Sequence, residues 1–246
     1  MTRERPSIRR VYGLYLIICS IIIGRMVSKN PPRSPGRPAN SRGDQRERLL
    51  DAAIALFARQ SIAETSLRAV ARRARVTPAL VHYYFGNREQ LVDALVIERI
   101  LPLVLRLGAT LADAGSDPRV LVRTFVTSMI GMLAENAWLP PIWVREVLTE
   151  NGALRDRLIT QIAPNIAPDL ARRFAEAQRA GLLNPGLNPK LAVVSLIGLT
   201  IFPLAAQTIW RPLLDARDID TNALVEHTLA LLTSGLAAAP AARNPS

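Results

Sequence analysis

Cysteine is almost absent from this sequence: Cys19 is the one example among 246 residues. A single thiol builds neither a disulfide framework nor a cysteine-based zinc site, and it suits a reducing, cytoplasmic location. Histidine is scarce too. His82 and His227 stand alone, so no metal cluster is expected, and no cofactor. The chain contains no GxSxG, no Gly-rich phosphate loop, no HExxH and no Cys–His pairing, so it is not expected to be an enzyme. Strand-like alternation of apolar and polar residues is missing as well, and there is no internal repeat.

Charge is plentiful but uneven. The 31 Lys and Arg outnumber the 20 Asp and Glu, for a net +11. Residues 1–90 hold 17 of the basic and 6 of the acidic side chains, while the remainder holds 14 of each. The whole excess therefore lies in the first third of the chain. A basic end joined to a neutral remainder implies a dedicated polyanion-binding surface, with nucleic acid ahead of anionic membrane. With 49% apolar and 21% charged residues, the chain is globular.

Two uncharged runs complicate this reading. Residues 11–24, VYGLYLIICSIIIG, follow Arg3, Arg5, Arg9 and Arg10, like the charged and apolar regions of a signal peptide. As a helix the run would be about 21 Å long, short of a hydrocarbon core of roughly 30 Å. No small-x-small cleavage site follows it. The expectation is that translation starts at Met26; a true anchor and an N-terminal helix are the alternatives. Residues 191–210, LAVVSLIGLTIFPLAAQTIW, have the length of a membrane span. Their Ser195, Thr200, Gln207 and Thr208, the interrupting Pro203 and the lack of a flanking basic cluster argue instead for a helix buried between its own domain and a partner subunit. No membrane partner is expected.

From Asp44 the pattern becomes helical. Leu49, Leu50, Ala53, Ile54 and Phe57 repeat at three and four on a first helix ending near Arg59. Thr65-Ser66 starts a short second helix that turns Leu67, Val70, Ala71 and Ala74 inward. After a turn at Arg75-Val76, Thr77-Pro78 supplies an N-cap and first-turn proline for a third helix, and Asn87 caps a fourth. Later helices are expected over about 118–135, 140–150, 153–180 with interruptions near Pro164 and Pro168, 188–210 and 219–237. The fold class is all-α: an N-terminal three-helix helix-turn-helix domain followed by a larger helical ligand-binding and dimerisation domain.

A short helix, tight turn and short helix set against a first helix is a helix-turn-helix arrangement. The third helix offers Thr77, Pro78, Ala79, His82 and Tyr83 on the side not used by Leu80, Val81 and Phe85, groups suited to thymine methyls, base edges and phosphates. Thr65 and Thr77 cap helices whose N-terminal amides can take phosphate oxygens. Ser66 lies beside Thr65, and Arg68, Arg72 and Arg88 flank the surface as phosphate clamps. Tyr84 and Phe85 read as core.

The segments RERLLDAAIALFAR, TSLRAVARRARV and TPALVHYYFGNREQL make residues 44–95 resemble the DNA-binding domain of the TetR/AcrR family of transcriptional regulators. That resemblance implies phosphate contacts at Thr65, Thr77, Tyr83 and Arg88, and base-edge contacts at Pro78, Ala79 and His82. The chain departs from the family pattern at Ser61 and Arg75, where glycine is usual, and at His82, where tyrosine is frequent. A left-handed Arg75 would cost on the order of 1 kcal/mol. Arg33, Arg37 and Arg42 lie in a Pro-rich arm that either reaches into a neighbouring minor groove or provides non-specific attraction.

The expected division is 1–43 for the apolar segment and arm, 44–90 for DNA binding, 91–238 for ligand binding and dimerisation, and 239–246 for a disordered tail. Phe125 and Met129 on one helix, Trp138 and Trp143 just after it, and Phe202 are candidate walls of a pocket for a hydrophobic or aromatic effector. Arg145, Glu146 and Gln207 are its candidate polar anchors. Helices 188–210 and 219–237 resemble the pair through which the family forms homodimers, and this implies an inverted-repeat operator on double-stranded DNA, with repression relieved by ligand. A membrane-tethered regulator held by residues 11–24 and a sequence-indifferent architectural DNA binder are the rival readings.

Overall fold

A proline placed directly behind a cap residue opens three helices of this protein. In the computed structural model, which describes residues 41–236, Thr77-Pro78, Asp117-Pro118 and Asn188-Pro189 each begin one. Proline suits the first turn because its missing N–H has no intrahelical acceptor there. The Asp117 carboxylate accepts from the N–H of Arg119 at 2.8 Å, and Asn188 accepts from Lys190 at 2.9 Å. The helices are α1 (Ser41–Phe57), α2 (Leu67–Ala74), α3 (Pro78–Phe85), α4 (Arg88–Leu95), α5 (Leu101–Asp113), α6 (Pro118–Glu135), α7 (Leu139–Glu146), α8 (Arg155–Arg157), α9 (Ala167–Arg179), α10 (Pro189–Ala205), α11 (Gln207–Leu213) and α12 (Thr221–Leu236). No strand occurs among the described residues. The fold is all-α.

Proline also shapes helix interiors. A π-helical turn, Val96–Ile100, joins α4 to α5, and the Leu101 N–H reaches the Val96 carbonyl five residues back. Pro102 follows at once. It has no N–H to give, and its ring would clash with the carbonyl four residues earlier, so the backbone widens by one residue. The same construction recurs at Leu158–Ile162, where the Ala163 N–H reaches the Leu158 carbonyl directly before Pro164. Interruption at Pro164 is expected from the sequence; the widening before Pro102 is not.

The helix expected over 188–210 is in fact two. Helices α10 and α11 meet at a bend of 71°, because Pro203 weakens the last turns of α10 and the chain leaves helical geometry at Ala206. The break deprives the Pro203 carbonyl of its helical donor. The indole N–H of Trp210 takes that place at 2.7 Å and pins the corner. Among the described residues no single helix is long and apolar enough to cross a membrane.

Two apolar clusters hold the chain together. One joins Leu49, Leu50 and Phe57 of α1 to Val70, Val81, Phe85, Leu91 and Leu95, and continues into Leu139 and Ile142 of α7. The other packs Phe125, Val126 and Ile130 of α6 against Phe174 of α9, Leu196 of α10 and Leu229 of α12. Truncating Phe57, which is fully buried, to alanine would cost about 3–5 kcal/mol.

Polar contacts bind the first four helices to the rest. Arg46 pairs with Glu98 of the π turn and lies 4.8 Å from the Phe85 ring. Arg99 pairs with Asp51 at 3.2 Å. The Arg157 guanidinium bridges Asp93 at 2.8 Å and Glu89 at 3.1 Å. Partial burial opposes its charge, but the hydrogen bonds to Asp93 and Glu89 outweigh that effect and raise its pKa above the usual arginine value.

Candidate nucleic-acid interface

Helix α3 is anchored from one side only. Val81 and Phe85 are buried against α1 and α4, whereas Pro78, Ala79, His82 and Tyr83 face solvent, Tyr83 being 73% exposed. Tyr84 is half-buried and meets Tyr83 edge-on at 5.2 Å. An exposed aromatic thus stands beside small side chains on a helix packed from its other side. Thr77 caps α3 in an extended conformation, and its hydroxyl makes no capping hydrogen bond.

His82 has a defined tautomer. Its Nδ1 lies 2.7 Å from the carbonyl oxygen of Gly86. A carbonyl only accepts, so Nδ1–H is the donor, and in the tautomer with a single ring proton Nε2 is left as an acceptor. An acceptor there suits an exocyclic amino group of adenine or cytosine in the major groove.

The turn between α2 and α3 is closed by Arg75 at φ 57, ψ 46, in the left-handed region. The Val76 N–H donates to the Ala71 carbonyl at 3.0 Å, which completes a Schellman-type cap in which glycine is the usual residue. Arg75 therefore holds the conformation anticipated for it. Arg68, Arg72, Arg73 and Arg75 are exposed. None of them pairs with a carboxylate among the described residues.

One expected cap needs revision. Ser66, not Thr65, caps α2: its Oγ accepts from the Ala69 N–H at 3.1 Å. Thr65 is 1% exposed. Its hydroxyl donates to the Ser61 carbonyl at 2.9 Å and accepts from Gln60 Nε2 at 3.0 Å, so it latches the loop before α2 from within. Arg88 is exposed, but its Nη1 donates to the Ala63 carbonyl at 2.5 Å. It braces the same loop. Arg37 lies outside the described residues, as do residues 11–24, Met26 and 239–246. Arg42 opens α1, and its side chain likewise lies outside them.

Neither of two clefts among the described residues gathers the candidate effector residues. Phe125 is buried in the α6–α9–α10–α12 cluster, and Met129 packs against both clusters. Trp138, directly before α7, and Trp143, within it, are half-buried. Arg145 donates to the Phe57 carbonyl at 3.0 Å. Phe202 is 68% exposed, and Gln207 begins α11. A cleft of about 570 Å³ includes Trp138 from this set, and a second of about 450 Å³ along α10 and α12 includes none of it.

Glu146, expected as a polar anchor for a ligand, is engaged with the backbone. It is 2% exposed; Oε1 accepts from the Ile62 N–H at 2.9 Å and Oε2 from the Ala153 N–H at 3.2 Å. It ties α7 to the loop after α1 instead of anchoring a ligand. One signal was legible: a lone carboxylate in the apolar run LPPIWVREVL.

Residues 49–95 match the family described as bacterial regulatory proteins, tetR family. The nicotine-responsive transcriptional repressor HdnoR of Paenarthrobacter nicotinovorans is 35% identical over 32% of this chain and 40% of its own length. The chain spans 40–53% of the length of such curated relatives. Among solved structures, NalD of Pseudomonas aeruginosa, the secondary repressor of the MexAB-OprM efflux pump, is 26% identical with a TM-score of 0.60, covering 79% of this chain and 98% of NalD. The ketosteroid transcriptional regulator KstR2 of Mycobacterium tuberculosis shares the fold at a TM-score of 0.65 and 17% identity, over 84% of this chain and all of that one. Residues 49–95 are thus the part of the chain that is similar to the tetR family of bacterial regulatory proteins.

Proposed function

We propose that the chain is a sequence-specific transcriptional repressor that binds an inverted-repeat operator as a homodimer and leaves it when a hydrophobic or aromatic small molecule binds. The observation that carries this reading is the outward face of α3: Pro78, Ala79, His82 and Tyr83 exposed together on a helix fixed from behind by Val81 and Phe85. Thr77, Ser66, Arg68, Arg88 and the arm residues Arg37 and Arg42 are assigned to phosphates, and Pro78, Ala79 and His82 to base edges. HdnoR and NalD, both named as repressors, support the sign of regulation.

Dimerisation is assigned to residues 188–237. Leu191 and Val194 of α10 and Leu231 of α12 are large apolar side chains left exposed in a single chain, and a second copy would cover them. A two-fold dimer sets its two α3 helices about 34–36 Å apart, one turn of duplex. Residues 44–90 then act as reading head and 91–238 as body. An effector that favours a body conformation with the heads wrongly spaced draws the dimer off DNA, by no more than its differential affinity for the two states. Since the target is DNA, the site of action is the cytoplasm.

Footprinting of the purified chain on DNA flanking its own gene, at two salt concentrations, tests this. Protection of one inverted repeat that survives the higher salt supports a specific dimer. Diffuse protection lost with salt would leave an electrostatic, sequence-indifferent binder.

A further inference from the structure

The cleft of about 570 Å³ lies between α1, the π turn with the start of α5, and Trp138. Its apolar walls are Ile54 of α1, Leu103 of α5 and Trp138. That volume suits a small organic ligand of two rings. The polar groups around it are not equivalent. Asp51 is paired with Arg99, and Glu98 with Arg46, so both carboxylates already have a cation. Arg106 also lines the cleft and is exposed. Among the described residues it has no carboxylate partner. Asn136 donates one N–H of its Nδ2 to the Met132 carbonyl at 2.8 Å and has a second N–H and its Oδ1 left, both uncharged. The one unmatched charge is a guanidinium, beside an indole and aliphatic walls.

We propose that this cleft binds a small aromatic carboxylate, with the acid group on Arg106 and the rings against Trp138, and that it is the effector site of the regulator. The effector role rests on the function proposed above; the binding does not. The two ion pairs at the cleft, Asp51–Arg99 and Arg46–Glu98, both cross from α1 to the π turn. An occupant bears on the contacts that hold the reading head to the body. π turns are frequent at functional sites, and here one supplies both partners.

Calorimetric titration of the full chain with biphenyl-4-carboxylate, and in parallel with the neutral biphenyl-4-carboxamide, tests the site. The carboxylate is expected to bind at least tenfold more tightly than the amide. Arg106→Gln should abolish that preference, and Trp138→Ala should weaken both ligands; thermal melts of the two variants verify that they fold. Absence of binding by either compound, or a preference that survives Arg106→Gln, overturns the site. Adding the carboxylate to the complex with footprinted DNA then tests the role. Release supports it, and binding without release overturns the effector role while the site stands. A chain that binds no specific DNA even without ligand overturns the proposed function instead.

Discussion

The carboxylate of Glu146 accepts the backbone N–H of Ile62 at 2.9 Å, 84 positions away in the chain. Its other oxygen holds the N–H of Ala153. One buried acid therefore ties the end of α7 to the loop that carries the chain from α1 into the helix-turn-helix. Gly152 makes the clasp possible, since a Cβ there would stand 2.2 Å from the Glu146 carbonyl oxygen. Glu146→Ala strands one buried and one partly buried donor and should destabilise the protein by about 1–3 kcal/mol. Glu146→Gln keeps one acceptor and should fall between. Chemical denaturation of the three proteins measures this; an unchanged midpoint for Glu146→Ala would contradict it.

Arg75 is the second residue whose replacement has a predictable sign. Held at φ 57, it bears a left-handed strain that glycine does not. Arg75→Gly should stabilise the chain by about 1 kcal/mol, whereas Arg75→Ala, which keeps the Cβ, should not. Thermal melting of both variants checks this. If alanine and glycine stabilise equally, the cause is removal of charge and not relief of backbone strain.

Arg88 and His82 should fail in different ways. Arg88→Ala removes a cation and the brace on Ala63, so it should weaken binding to all duplexes alike and lower the salt slope by about one counterion. His82→Ala removes one acceptor at the reading face and should cost about 1–3 kcal/mol of discrimination at one base pair in each half-site. Anisotropy titrations over a set of single-base operator variants separate the two patterns.

Much of the reading head was legible from sequence because its determinants are local. Cap residues, first-turn prolines and three-four spacing of Leu49, Ala53 and Phe57 are all encoded within a few positions of where they act. What stayed hidden depends on partners far along the chain. Thr65 and Ser66 look equally good as caps, and only the loop around Ser61 and Gln60 decides that Thr65 turns inward. Pro102 looks like an ordinary first-turn proline, yet the helix running into it from α4 forces a π turn. The aromatic residues Phe125, Trp138 and Phe202 suggested one pocket, but the packing of α6 buries Phe125 in a core cluster, Trp138 lines a cleft and Phe202 is exposed.

The exposed apolar residues of α10 and α12 give a test of assembly. Leu191 and Leu231 are exposed in the single chain and line its second cleft, so a charge at either is tolerated by the fold. Leu191→Glu combined with Leu231→Glu should convert a dimer to a monomer in sedimentation equilibrium while leaving the helical circular dichroism intact. Dimers that persist in the double variant would place the interface elsewhere.

The central claim is that α3 reads sequence from a two-fold dimer. Its most direct test is selection of bound duplexes from a random pool by the full chain, followed by sequencing. The account predicts enrichment of one inverted repeat whose half-sites lie about one helical turn apart, with His82→Ala relaxing the preference at one position in each half. A pool that remains random after repeated selection, while binding stays tight at low salt, would contradict it.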